Sequence, residues 1–204
     1  MAAIRTMEDL RALYGTPSTL SVRKEMRRLD AHARAFLARS PFVLIGSAAP
    51  DGLPDVSPKG DKPGFALVLD DRTIALPDRP GNNRLDTLEN ILRNGVVGLL
   101  FLVPGMDETL RVNGRAEIRT DDGLLERMAV DGRRPISALV VTVEEVYLHC
   151  AKAFMRSRLW DPESRIDRTT MPTLGAMLKD QIALAESAEA IDGAIVADYG
   201  RTLY

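Results

Sequence analysis

A chain of 204 residues, 45% hydrophobic and 27% charged, has the composition of one generous globular domain and argues against a disordered protein. Its 27 Lys and Arg against 29 Asp and Glu give a formal net charge of -2, without the basic excess of a nucleic-acid-coating protein. The single Cys150 cannot form an internal disulfide, and 2 histidines are too few for a His-rich metal centre. Glu8 and Asp9 stand where a signal peptide needs an apolar run. The most apolar stretch, 96–103, falls far short of the roughly 20 residues a membrane-crossing helix requires. The expected location is therefore the reduced cytoplasm, with neither membrane nor nucleic acid as partner.

In chain order, Thr6 starts a helix that Gly15-Thr16-Pro17 stops. Ser18 or Ser21 then caps a longer helix reaching about Arg39, with Leu20, Leu29, Ala33, Phe36 and Leu37 gathered on one side. Its basic residues, among them Arg23, Lys24, Arg27 and Arg28, read as a solvated face. Strands follow at 42–49 and 53–57 around the Asp51-Gly52 turn, and a hairpin at 65–69 and 73–76. A helix is expected over 83–94, with Leu85, Leu88, Ile91 and Leu92 on its apolar side. The continuous apolar run 96–103 reads as a strand buried on both faces. In 109–119 the residues alternate: Leu110, Val112, Ala116 and Ile118 on one face, Arg111, Asn113, Arg115, Glu117 and Arg119 on the other. Gly114 falls in the apolar register and marks a bulge or a close approach to the backbone. A short helix at 121–130, a long strand at 138–150, an irregular or helical stretch at 151–160 and helix beyond Pro172 complete the chain. Six or seven strands joined mostly by tight turns point to an antiparallel barrel with helical decoration and not to a doubly wound sheet.

Several standard sites are missing: there is no phosphate loop, no G-x-G-x-x-G, no H-E-x-x-H, no C-x-x-C and no G-x-S-x-G. His149 and Cys150 are strand neighbours whose side chains leave opposite faces, so no metal site is expected. Four elements suit an anion instead. Ser57-Pro58-Lys59-Gly60-Asp61 combines a hydroxyl, a cation and an open backbone; Pro80-Gly81-Asn82-Asn83-Arg84 precedes a helix start. Arg111, Asn113 and Arg115 share a strand face, and Lys152 and Arg156 stand four apart. Each alone equally describes a solvated surface; together they suggest a phosphorylated ligand. Trp160 suits either packing or the edge of a planar cofactor.

The run Phe42-Val-Leu-Ile-Gly-Ser-Ala-Ala-Pro-Asp-Gly-Leu-Pro-Asp-Val-Ser-Pro-Lys-Gly-Asp resembles the opening hairpin of the pyridoxamine 5'-phosphate oxidase-like, FMN-binding split barrels. Segments 74–92, 101–116 and 149–160 continue the resemblance, which is to a poorly characterised FMN-dependent subgroup. It implies a mainly β fold with helical additions (α+β), built on a six-stranded antiparallel split barrel. The organisation implied is a helical extension at 1–40, the FMN-binding barrel at 41–160 and a C-terminal helical segment at 161–204 packed on it. It also implies a homodimer with an FMN in each of two clefts between subunits. On that resemblance Ser57, Lys59 and Gly60 line the flavin, and Asn83 and Arg84 lie near its phosphate. Arg111, Asn113 and Arg115 face the cofactor cleft; Lys152, Arg156 and Trp160 complete the site, from the same or the second subunit. The Arg- and His-containing terminal segment of the oxidases proper is missing, which puts pyridoxal phosphate synthesis in doubt. The expected function is an FMN-dependent oxidoreductase acting on a small molecule with an electron donor. The alternatives are a non-catalytic flavin carrier or redox sensor, a binder of phosphorylated metabolites, or a barrel holding deazaflavin or heme. No catalytic residue stands out, and proton transfer falls to the flavin, to water or to His149.

Overall fold

The computed structural model describes residues 3–203. Helix α1 (Met7–Tyr14) begins where Thr6 Oγ1 accepts the Asp9 amide and ends at Gly15, whose φ of 70° is the left-handed stop. The single long helix expected up to Arg39 is instead two short ones, α2 (Thr19–Arg23) and α3 (Ala31–Leu37). Two forces divide them. Asp30 accepts the Ala33 amide at 2.7 Å and starts a fresh helix. Between the helices, Met26 pairs with Val146 through backbone bonds of 3.0 and 2.8 Å, so this stretch joins the sheet. Leu29, Ala33, Phe36 and Leu37 enter the core as expected, whereas Leu20 is exposed.

Seven strands form one antiparallel sheet: β1 (Phe42–Ala48), β2 (Pro54–Gly60), β3 (Leu67–Val68), β4 (Thr73–Asp78), β5 (Val96–Leu102), β6 (Thr109–Arg119) and β7 (Ser137–His149). Their order is β2-β1-β5-β6-β7-β4-β3. The resemblance implies six strands, and the count is exceeded by short elements such as the two-residue β3. One face closes on a core of Val43, Ile45, Leu99, Phe101, Leu110, Val112, Val141 and Val146, reinforced by α3. Burial of both faces of β5 does not hold: Val97, Leu99 and Phe101 are buried, but Val96 is exposed and Gly98, Leu100 and Leu102 are only half-covered. The face opposite the core is covered only in part: Leu125 and Met128 pack on Ala75 and Ala138 there.

The glycine placed in the apolar register of β6 stands opposite a bulge in β7. Pairing runs Asn113 with Glu145 and then Gly114 with Val143, leaving Glu144 as the extra residue. A Cβ on Gly114 would lie 2.0 Å from the Thr142 carbonyl oxygen, so only glycine fits. Helix α4 (Asp86–Arg93) starts later than expected because Asn83 takes a left-handed φ of 57°. Thr87 and Ile91 are its buried positions, while Leu85 and Leu92 face outward. Then come α5 (Asp122–Arg127), α6 (Lys152–Ser157), α7 (Leu174–Ile182) and α8 (Ala188–Thr202). Helices α7 and α8 meet at Gly175, whose amide donates to Asp192 Oδ1 at 2.7 Å and whose missing Cβ would fall 2.4 Å from the Ala188 oxygen. Among the described residues no helix is long and apolar enough to cross a membrane.

Candidate cofactor site

The edge strands are β2 and β3; beyond the two-residue β3, β2 and the end of β4 share no backbone ladder and are linked across the split by side chains. Alternation along edge strand β2 turns Asp55, Ser57 and Lys59 inward and Val56, Pro58 and Gly60 outward. Proline is tolerated there because an edge strand has a row of unpaired amides. Lys59 Nζ reaches Asp78 Oδ1, at the end of β4, at 2.5 Å, with side chains 27% and 11% exposed. One step on, Asp61 Oδ2 accepts Arg79 Nε at 2.5 Å, and Arg79 Nη2 also donates to the Met128 carbonyl. Higher up, Thr87 Oγ1 lies 2.7 Å from Asp55 Oδ2 and 2.8 Å from Ser57 Oγ, and Ser57 donates to the same carboxylate at 3.1 Å. Asn90 donates to Ser47 Oγ, and Asn94 to the Ala48 carbonyl. Helix α4 is thereby pinned across β1 and β2.

Lys59 and Gly60 line one wall of the split, and Arg79, Pro80 and Gly81 line the other; Asn83 and Arg84 follow on the same loop, where Arg84 bonds to Asn82 and Asp86. Lys59, Gly60, Arg79 and Gly81 border a small cleft of about 240 Å³ there. Arg84 is exposed and held by Asp86 at 2.5 Å; that hydrogen bond, then the Asp86 charge, raises its pKa. No side chain caps the start of α4, so its first amides are open to an anion, although Asp86 and Glu89 in the first turn oppose one.

Arg111 and Asn113 lie on the opposite, outer face of the sheet. There Gly46 pairs with Gly98, and the flat floor they make belongs to a cleft of about 460 Å³ walled by Leu44, Leu100, Arg111, Asn113 and His149. Arg111 Nη1 donates to the Tyr147 hydroxyl at 2.7 Å, Asn113 Nδ2 donates to Glu145 at 2.6 Å, and exposed Arg115 pairs with Glu144 at 3.4 Å. The bulge sets both glutamates against β6 side chains of this face. Lys24 Nζ stands 4.9 Å from the Tyr147 ring centroid and donates to the Leu148 carbonyl. Burial, then the Arg111 and Lys24 charges, lower the pKa of His149 below 6.5, so its imidazole is neutral at pH 7. Tyr147, Glu145 and Lys24 escaped the sequence reading. The first two become visible only once β6–β7 register is known, and Lys24 was placed on a solvated helix.

The last cluster stands apart. Lys152 and Arg156 are exposed on α6 and make no ion pair among the described residues. Trp160 donates Nε1–H to the Met106 carbonyl at 2.7 Å and stacks on Phe154 with centroids 5.7 Å apart, beside the β5–β6 turn. No hydrogen bond or ion pair joins these residues to the split within the described part of one copy. No group of His, Cys, Asp and Glu among the described residues is arranged to hold a metal.

Fold and site define an antiparallel barrel, split on one side, with cations, hydroxyls and glycines gathered at the opening. Residues 29–150, more than half of the chain, match the family described as pyridoxamine 5'-phosphate oxidase, and the chain belongs to that family. Its members generally bind flavin and are commonly dimeric. Similar solved structures include HupZ of Group A Streptococcus, 20% identical over 59% of this chain and 93% of that one, TM-score 0.48. Another is a putative pyridoxamine 5'-phosphate oxidase of Lactobacillus delbrueckii, 24% identical over 60% and 95%, TM-score 0.47. A third is an F420 reductase, 17% identical over 59% and 98%, TM-score 0.41. No curated protein matches this chain.

The residues at the split fit a phosphorylated cofactor. Arg84 has a single carboxylate partner, Asp86, and enough exposure to trade it for a phosphate oxygen, and Lys59 at the cleft wall is a second cation, paired with Asp78.

Proposed function

We propose that the chain is an FMN-dependent oxidoreductase acting on a small molecule, working as a cytoplasmic homodimer with its flavin clefts between subunits. The observation that carries this reading is the cleft at the split of a barrel of this family, bordered by Lys59 and Gly60 and, on the loop that runs on to Asn83 and Arg84, by Arg79 and Gly81. Residues 41–160 form the cofactor-binding unit, with helical additions before and after it. Asn83, Arg84 and the free amides of the loop grip the phosphate, while Ser57, Lys59 and Gly60 line the ring. Arg111, Asn113 and Arg115 border the cleft from the outer face, and Lys152, Arg156 and Trp160 close it from the second subunit. Bound FMN supplies the redox chemistry; the chain supplies grip, orientation and exclusion of water. His149, neutral at pH 7, holds a lone pair able to take a proton beside Arg111.

Titration of FMN against the purified protein tests the assignment. Arg84→Ala and Lys59→Ala are each expected to weaken FMN binding by about ten-fold or more, the loss of a charge-assisted bond. Unchanged affinity in both variants would contradict it. The second reading, a flavin carrier without turnover, draws on the position of His149 on the outer face, away from Lys59.

A further inference from the structure

We propose that the N-terminal arm of one copy, residues 3–23, seats in the groove between α7 and α8 of a second copy. The inference rests on the two-subunit reading above and goes beyond it in assigning a new contact. The groove has a volume of about 680 Å³, with Leu178, Leu184, Ile191 and Ile195 along it and the Glu186 and Asp198 carboxylates beside them. Nothing among the described residues fills it: α8 has no buried residue over its 15 positions, and α7 buries only Gly175. The arm is the matching half. Helix α1 is 8 residues long and buries none of them, although Met7, Leu10 and Tyr14 share one side. Isolated helices shorter than about 12–15 residues are marginal in water, so α1 calls for a surface to lie on. Met7 is 65% and Tyr14 73% exposed, large side chains of the kind that anchor interfaces.

Charge selects the pairing. The arm carries Arg5, Arg11 and Arg23 against Glu8 and Asp9, a side-chain charge of +1, while Lys24 is held by its own chain's Leu148 carbonyl and Tyr147 ring. Segment 174–203 carries Asp180, Glu186, Glu189, Asp192 and Asp198 against Lys179 and Arg201, a side-chain charge of -3. Because no arm residue lines the groove of its own chain, the seat is offered to another copy. The groove also touches Asn82, which precedes Asn83 and Arg84, so a seated arm presses on the loop proposed to grip the phosphate.

Light scattering and amide hydrogen exchange on the full chain and on the Leu10→Asp/Tyr14→Asp variant test this. Neither residue is buried, so the barrel core is untouched by the change. The proposal expects a dimer whose α8 amides exchange about ten-fold or more slowly than in the variant, with dimer dissociation at least about ten-fold easier in the variant. As a second measurement, Leu10→Cys and Ile191→Cys chains, both also Cys150→Ser, are mixed under oxidising conditions and are expected to form an inter-chain disulfide. A dimer with equal α8 exchange in both proteins and no such disulfide would overturn the arm contact while leaving the dimer standing. A full chain that stays monomeric would overturn the two-subunit reading and the arm contact together. Fast α8 exchange restored to slow by an added apolar small molecule, with the arm irrelevant, would assign the groove to a ligand and likewise overturn the proposal.

Discussion

At Gly114 a single hydrogen atom decides the local structure: a methyl group there would stand 2.0 Å from the Thr142 oxygen. Gly114→Ala is expected to cost on the order of 3 kcal/mol, read as a lower urea midpoint at unchanged slope, because backbone on both sides must shift. The sequence exposes this position through its place in an otherwise apolar register, and it exposes the Arg111, Asn113 and Arg115 face by alternation. It does not expose their partners, since Tyr147 and Glu145 depend on a cross-strand register that the bulge itself resets. His149 gives a pH signature. Its folded pKa lies below the unfolded 6.5, so the unfolded chain binds the extra proton; its contribution to stability is complete above about pH 6.5 and is lost as pH falls through the folded pKa. Denaturation midpoints from pH 8 down to 5 should therefore fall more steeply for the wild-type chain than for His149→Gln. Parallel curves would show that the imidazole is not held by its burial beside Arg111 and Lys24.

Among the elements, the strands were legible and the helices less so. Alternation sets β6 outright, and turn residues bracket β1, β2 and β4. The helix expected up to Arg39 fails because its basic, weakly patterned middle is drawn into a bridge with β7, a tertiary preference no local pattern carries. Helix α4 shows the reverse: its existence is plain from the sequence, while the residue that fastens it, Thr87, looks like any polar position. Thr87→Val removes the hydroxyl that joins Asp55 and Ser57. It is expected to cost about 1 kcal/mol, the low end of the range for a carboxylate deprived of a donor, since Asp55 is only half-buried. FMN affinity should fall with it, because the Asn83–Arg84 loop leads into this helix. A variant with lowered stability and full FMN affinity would separate the helix anchor from the site.

For the whole molecule, the organising feature is an antiparallel sheet curled until β2 and β4 face one another across a gap that side chains bridge and backbone does not. Lys59–Asp78 and Asp61–Arg79 hold that gap, and the family's match over residues 29–150 spans it from α3 to the end of β7. The barrel could be anticipated from the sequence because tight turns, paired strands and a missing βαβ rhythm are local signals. Which anion-binding clusters meet could not, because closure of the barrel sends Ser57 and Lys59 to one side of the sheet and Arg111 and Asn113 to the other. The cleft over Gly46 and Gly98, the α7–α8 groove and the arm all stay open in one copy, and a second copy is the economical cover for them. The account stands on flavin at the split. The most direct measurement is titration of FMN into the purified full-length chain, followed by flavin fluorescence and absorbance. A saturable change at one FMN per chain, weakened in Arg84→Ala, is the result expected; fluorescence that stays that of free FMN at every protein concentration would contradict it.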